Sequence, residues 1–477
     1  VNSGTRKARP FFLKKDQKIM VHTFFLNGYY LALDVNSGAV HMLDEETYDI
    51  LNALLPGPIP AECGENVVAA LSGKYPEEDI HEIYGELYQL QQNGQLFSED
   101  DYERFTELMK GAPIKSMCLH ISHDCNLRCK YCFASTGDFG TGRMLMPVET
   151  GKKAIDFLLT HSGNRHNLEL DFFGGEPLMN WGAVEEIVKY ARSKEAEYHK
   201  LFRFTVTTNG VLLNDENIAF INKEMKNVVL SLDGRKKVND NLRVTINGGG
   251  SYDIIVPKFQ KLVEQRRNGP FTEYYARGTF TKYNLDFTED IYHIDALGFD
   301  QLSVEPVIAD PSEPYALTEE DLPVIFEQYE KLAKEMVRRK KEGNCFNFFH
   351  FMIDLDQGPC AIKRLRGCGC GNEYVAVTPD GDIYPCHQFV GKEEWKMGNL
   401  DTGELNAEIK DKFACSNVYT KQGCRDCWAK FYCSGGCNAN NYEQNGDINI
   451  PTKLSCEIER KRVECAIMIK AATAENA

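Results

Sequence analysis

The stretch Cys125-Asn-Leu-Arg-Cys129-Lys-Tyr-Cys132-Phe-Ala constrains this chain more than any other. Its C-x3-C-x2-C spacing puts three thiolates within reach of one soft metal centre, and thiolate ligation selects zinc or an iron–sulfur cluster. A structural zinc site is closed by a fourth protein ligand, and the two spacers differ from the paired C-x2-C and H-x3-H spacings of zinc modules. Three thiolates on a four-iron cluster instead leave one iron open, where a substrate or cofactor can ligate. A zinc knuckle is the competing reading of this segment taken alone.

The cysteine count extends the argument. Seventeen cysteines accompany a basic start, residues 1–19, that lacks the apolar core of a signal peptide and is set aside as a lead-in. Without a secretion signal, so many thiols point to metal or redox chemistry in a reducing compartment, hence a cytoplasmic protein with oxygen-sensitive centres. A net charge of −16 excludes a general nucleic-acid binder. No apolar run is long enough to span a bilayer, so no membrane partner is expected.

Taken in order, residues 20–109 hold two expected strands, His22–Leu33 and Ala39–Leu43, joined through the turn-rich Asp34-Val-Asn-Ser-Gly38. Expected helices follow at Asp44–Leu55, with Asp44 as N-cap, and at Pro76–Asn93, with Leu96-Phe97 as a short strand. This unit resembles the winged-helix peptide-recognition domain of enzymes that modify ribosomally made peptides, which implies a leader peptide added as a strand to a sheet edge. A helical cap that only stabilises its neighbour is the alternative.

Beyond the linker at Ser98–Pro113, strands and helices alternate over residues 114–345. Expected strands are Lys115–Ile121, Leu168–Phe173, Phe202–Thr207, Asn227–Leu232, Tyr274–Thr281 and Gln301–Val307. The expected fold is therefore α/β, a partial (β/α)6 barrel with functional residues at the C-terminal strand ends. An amphipathic helix, Thr318–Lys341, and aromatic residues 346–351 read as core.

The cysteine loop after the first strand, with Tyr131 inside it, resembles the signature loop of radical S-adenosylmethionine (SAM) enzymes. Four further matches fall at later strand ends: Gly174-Gly175-Glu176-Pro177, Thr208-Asn209-Gly210, Ser231-Leu-Asp233-Gly234 and, after the last of these, Arg243. The resemblance implies that Cys125, Cys129 and Cys132 hold the catalytic [4Fe–4S] cluster. It implies that Tyr131, Gly174, Gly175, Glu176 and Pro177 surround the cofactor, with Glu176 at the methionine amino group. Thr208 and Asn209 would lie nearby, Ser231 near the ribose and Arg243 near the carboxylate.

Residues 346–465 carry Cys370, Cys386, Cys424, Cys427, Cys433, Cys437 and Cys456 together with Pro379-Asp-Gly381-Asp-Ile-Tyr-Pro-Cys386. This array resembles the SPASM domain, an iron–sulfur extension with two auxiliary [4Fe–4S] clusters. The resemblance implies an outer set of Cys424, Cys427, Cys433 and Cys456 and an inner set of Cys370, Cys386 and Cys437. The fourth inner ligand is open between Cys360, Cys368 and a substrate thiolate. Zinc is the alternative for the Cys424–Cys437 run alone. Cys63, Cys118, Cys345, Cys415 and Cys465 match nothing and read as buried small hydrophobes, and residues 466–477 read as a tail.

The whole resembles radical SAM–SPASM peptide maturases, and Gly-Cys-Gly-Cys-Gly-Asn-Glu-Tyr beside the signature loop is similar to the SCIFF-peptide maturases. That likeness implies SAM and three clusters as cofactors, thioether crosslinks from cysteine sulfur to carbon of an acceptor residue (threonine), and a cysteine-rich precursor peptide with a leader. It also implies a reductant of the flavodoxin or ferredoxin type. An anaerobic sulfatase-maturating or other dehydrogenating relative is the alternative, and a zinc scaffold or iron–sulfur electron carrier the reading outside radical enzymes.

Overall fold

The structure, a computed structural model, describes residues 19–355 and 364–474, and these form two compact units, the first ending at Glu103 but for Leu355 and the second holding the rest. The lead-in before residue 19 and Cys360 lie outside the described residues.

In the first unit, β1 (Val21–Leu26), β2 (Tyr29–Asp34) and β3 (Val40–Leu43) form an antiparallel sheet in chain order. The single strand expected over His22–Leu33 is thus a hairpin. Asn27 (φ 50°) and Gly28 (φ 91°) both take the left-handed conformation that a two-residue hairpin turn demands. Helix α1 (Glu45–Leu54) starts at Asp44, whose carboxylate accepts the Thr47 N–H at 2.8 Å. Ile50 and Leu51 of α1 pack with Ile80, Tyr84 and Leu87 of α3 (Glu77–Gln92). Between them lies α2 (Glu65–Leu71), which has no fully buried residue and so left little apolar period in the sequence. Leu96 and Phe97 are buried but form no strand, since Phe97 sits at φ 53°.

The second unit is built on alternating elements. They are β4 (Ser116–Ser122), β5 (Leu127–Cys129), α4 (Val148–His161), β6 (Asn167–Gly174), α5 (Trp181–Tyr198), β7 (Leu201–Thr208), α6 (Asp215–Glu224) and β8 (Met225–Ser231). There follow α7 (Lys236–Leu242), β9 (Arg243–Thr245), α8 (Tyr252–Arg266), β10 (Glu273–Phe280), α9 (Phe287–Ala296), β11 (Gln301–Pro306) and α10 (Leu322–Glu342). Strands β4, β6, β7, β8, β10 and β11 lie side by side, all parallel and in chain order. That sequential order belongs to a barrel wall, not to a doubly wound sheet, whose order reverses at a switch point. Their side chains alternate: Leu168, Leu170 and Phe172 of β6 are buried towards the helices, whereas Glu169, Asp171 and Phe173 are half-buried on the inner face.

The C-terminal region extends this sheet at both ends. β12 (Asn347–Phe348) joins β11, while β13 (Tyr374–Val377) adds parallel to β4 and carries antiparallel β14 (Asp382–Tyr384) and β15 (Gly398–Asn399). Helices α11 (Ala407–Cys415), α12 (Lys430–Cys433), α13 (Asn438–Asn445) and α14 (Lys453–Ala474) complete it. Residues 466–474, expected as a tail, continue α14 and bury Ile467, Met468 and Ile469. The Arg462 guanidinium of α14 donates to the Tyr329 hydroxyl of α10 at 2.9 Å. Among the described residues no helix is long and apolar enough to cross a membrane.

Candidate active site

The loop with Cys125, Cys129 and Cys132 leaves the C-terminal end of β4, where a parallel barrel places its chemistry. It folds back as β5 and pairs antiparallel with β9, setting Cys129 opposite Arg243. The Asn209 side-chain amide donates to the Asn126 carbonyl at 2.7 Å and lies 3.6 Å from the Cys125 sulfur. All three thiols are half-buried. Burial pushes Cys125 up to about 12 and Cys129 up to about 11, so a metal must displace their protons on binding.

Gly174 and Gly175 are needed by the protein backbone itself. A Cβ on Gly174 would stand 2.3 Å from the Ser122 carbonyl oxygen, and one on Gly175 would stand 2.2 Å from that of Asp124. The Gly175 and Glu176 N–H groups donate to those same two carbonyls at 2.7 and 2.9 Å. The end of β6 is thereby bound to the cysteine loop. Glu176, which is 1% exposed, accepts from the Thr208 hydroxyl (2.8 Å) and Leu178 N–H (3.1 Å) on one oxygen and from the Asn209 N–H (2.8 Å) on the other. Burial raises its pKa to about 7 against the pull of these donors. Pro177 opens the short turn that follows.

Asp233, which the sequence motif contains but which was not singled out as a site residue, is the hub of the other side. Fully buried, it accepts the Tyr131 hydroxyl on both oxygens at 2.8 Å and the Thr279 N–H at 3.0 Å. Arg243 forms an ion pair with it at 3.0 Å and lies over the Tyr131 ring, 5.5 Å from its centre. Burial raises the Asp233 pKa, and Arg243 and Tyr131 oppose the rise. Tyr131 and Arg243 are thus brought together through a third residue, with half-buried Ser231 two positions away at the end of β8.

The C-terminal thiols fall into two groups. Cys424, Cys427, Cys433 and Cys456 are electrostatic neighbours of one another. Cys370, Cys386 and Cys437 form the second group, and Cys368 joins it beside Cys370 and Cys437. Two all-thiol sets of four, plus a set of three, suit soft iron–sulfur centres. Among the described residues no three metal-binding side chains converge as closely as one shared ion requires. Of the unmatched cysteines only Cys118 and Cys465 are buried. Cys63, Cys345 and Cys415 are half-buried, which corrects the expectation for those three.

Sequence reading also missed a junction of rings. Phe133 follows Cys132, His387 follows Cys386, and their rings lie 5.5 Å apart. Phe173 of β6 stands 5.0 Å from His387 and 6.4 Å from Phe133. The signature loop and the inner cysteine group therefore meet at one place on the inner face of the sheet. No local pattern marks these rings, because they come from three separate segments.

This arrangement agrees with the family matches. Residues 119–273 match the radical SAM superfamily and residues 368–428 the SPASM iron–sulfur cluster-binding domain, so the chain carries both domains in that order. It is 20% identical over 460 residues to the radical SAM cyclopropyl synthase TigE of Paramaledivibacter caminithermalis, covering 91% of each chain. It is 25% identical to a cysteine-type anaerobic sulfatase-maturating enzyme of Clostridium novyi, over 70% of this chain and 90% of that one. The fold is similar to that of native anSMEcpe with bound AdoMet and a Kp18Cys peptide (TM-score 0.61, 20% identity, 76% of this chain and 99% of that one).

Proposed function

We propose that the protein is a radical SAM–SPASM maturase that forms intramolecular thioether crosslinks in a cysteine-rich precursor peptide. The observation that carries this reading is the meeting of Phe133 and His387, the neighbours of Cys132 and Cys386, at 5.5 Å. A peptide held there touches the SAM-binding loop and an auxiliary centre at once.

In this reading Cys125, Cys129 and Cys132 hold one [4Fe–4S] cluster, and the two C-terminal groups hold one each, with Cys368 as the fourth inner ligand. When bound, SAM and its cluster would supply a radical able to take a hydrogen atom from the acceptor carbon, and the auxiliary centres would supply an acceptor for the electron released as sulfur bonds to that carbon. Glu176 receives the methionine ammonium: among the described residues its Asn209-bound oxygen accepts one hydrogen bond and retains acceptor capacity. Asp233 keeps Tyr131 and Arg243 in place beside the loop, with Arg243 near the cofactor carboxylate and Ser231 near its ribose. Gly174, Gly175 and Pro177 shape the turn, and Thr208 and Asn209 brace Glu176 against the loop. Residues 20–109 bind the leader along an edge of the three-stranded sheet. A flavodoxin- or ferredoxin-type protein supplies electrons.

Likeness to the Clostridium novyi enzyme keeps a sulfatase-maturating activity as the second reading. The test is mass spectrometry of a cysteine-rich peptide incubated anaerobically with reconstituted enzyme, SAM and reductant. Loss of two hydrogens per modification, with one cysteine becoming resistant to alkylation each time after disulfide reduction, is expected. An unchanged peptide beside 5′-deoxyadenosine would refute this substrate class, and formylglycine in a sulfatase peptide would establish the second reading.

A further inference from the structure

Between the two C-terminal cysteine groups lies a lysine that neither the signature loop nor the ligand sets require. Lys421 is 3% exposed, an unusual place for an ammonium, since a charge is buried only when paired or strongly hydrogen-bonded. Its ammonium donates to the carbonyl oxygens of Gly435 (2.9 Å) and Gly436 (3.2 Å). Both partners are pure acceptors, so they favour the protonated amine. The protein makes room for the stem: Gly435 is at φ +77°, and a Cβ there would stand 2.5 Å from the Lys421 Cδ. The Gly435 and Gly436 carbonyls belong to the short link between Cys433 of the outer group and Cys437 of the inner group. Burial lowers the lysine's pKa, and Cys424, Cys433, Cys370 and Cys437 oppose that. The ammonium is thus held at the link between the two groups, and both would become anionic on binding iron through their thiolates.

We infer that the Lys421 ammonium is a shared counter-charge for the two auxiliary clusters, raising the reduction potential of both. The inference rests on the cluster reading proposed above. In that reading a thiolate bonding to a carbon radical gives a thioether and one surplus electron (RS⁻ + •C → RS–C + e⁻). A four-iron cluster held by either thiol group would accept that electron and become one unit more negative. A fixed positive charge favours that reduced form, and a charge between two clusters favours an electron on either. Lys421 contacts no substrate in this account. It acts on the reaction by setting how readily the clusters accept the electron.

The experiment is an anaerobic redox titration, read by electron paramagnetic resonance, of full-length wild type, Lys421→Met, Lys421→Gln and Lys421→Arg, each with its iron content measured. In the neutral variants the auxiliary reduction equilibria are expected to become at least tenfold less favourable, which is 59 mV for a one-electron couple. Lys421→Arg should stay near wild type. The signal of the SAM-binding cluster, identified by its change on adding SAM, should not move in any of them. Fully loaded neutral variants with unmoved auxiliary potentials would overturn the inference. If the neutral variants lose auxiliary iron, Lys421→Arg decides: full loading supports the counter-charge, and equal loss overturns it by showing that lysine's shape is what is needed. A wild type without auxiliary clusters would refute the functional reading itself, and this inference with it.

Discussion

Replacing Asp233 with asparagine isolates the hub beside the signature loop. The substitution keeps the shape and an acceptor oxygen for the Tyr131 hydroxyl and Thr279 N–H, but it removes the negative charge paired with Arg243 at 3.0 Å. Arg243 is only 11% exposed in its side chain and cannot shed its proton, so it becomes a buried unpaired cation. Breaking a buried pair from one side costs about 3–5 kcal/mol. For a unit of this size, at an unfolding entropy of about 2.1 cal/mol/K per residue, that lowers the melting temperature by roughly 4–6 °C. Anaerobic differential scanning of the reconstituted protein measures the shift. Arg243→Met in the Asp233→Asn background removes the orphaned charge and should recover much of the loss, as a double-mutant cycle would report. The reasoning is refuted if Asp233→Asn melts within 2 °C of wild type, or if the double variant melts no higher than Asp233→Asn alone.

Cys125→Ala should abolish formation of 5′-deoxyadenosine from SAM, whereas Cys424→Ala should retain SAM cleavage uncoupled from peptide modification. Chromatography of the SAM products checks both, and equal cleavage by wild type and Cys125→Ala would sink the assignment of the signature loop. On the inner sheet face, burial and then Glu169 raise the Asp171 pKa from an ordinary 3.8 to about 7. A carboxyl raised on folding stabilises the fold fully at low pH, and the contribution is lost as pH rises through about 7. Denaturant unfolding of the cluster-free chain should therefore show Asp171→Asn gaining on the order of 1–2 kcal/mol on wild type between pH 5 and 7. A constant difference across that range would remove Asp171 as the cause.

The barrel was legible because each parallel strand buries a continuous apolar row and the intervening helices carry their own period. All six expected strands lie within two residues of their observed limits. Asn27-Gly28 was a readable hairpin signal that the apolar run from Phe24 to Leu33 masked. Helix α2 was not readable, since it is seven residues long and none is fully buried. Among the candidate site residues, the sequence identified ligands by spacing but not the residues that brace them. Asp233 is an ordinary acidic residue until β8, β9 and β10 bring Tyr131, Arg243 and Thr279 around it. Cys368 could be placed beside Cys370 and Cys437 only once the chain was folded, because Cys368-Gly-Cys370 alone allows either thiol.

The parallel pairing of β13 with β4 has a consequence for how the chain is made. Lys115 beside β4 meets Glu373 beside β13 across 258 residues of sequence. At about 5–20 residues per second, synthesis of that interval takes roughly 13–50 s. Throughout that time the strand leading into the signature loop has one edge without its partner. An unpaired edge invites association with other chains, so arrested or truncated products ending before β13 should be aggregation-prone, and holding that edge apart until β13 emerges falls to chaperones.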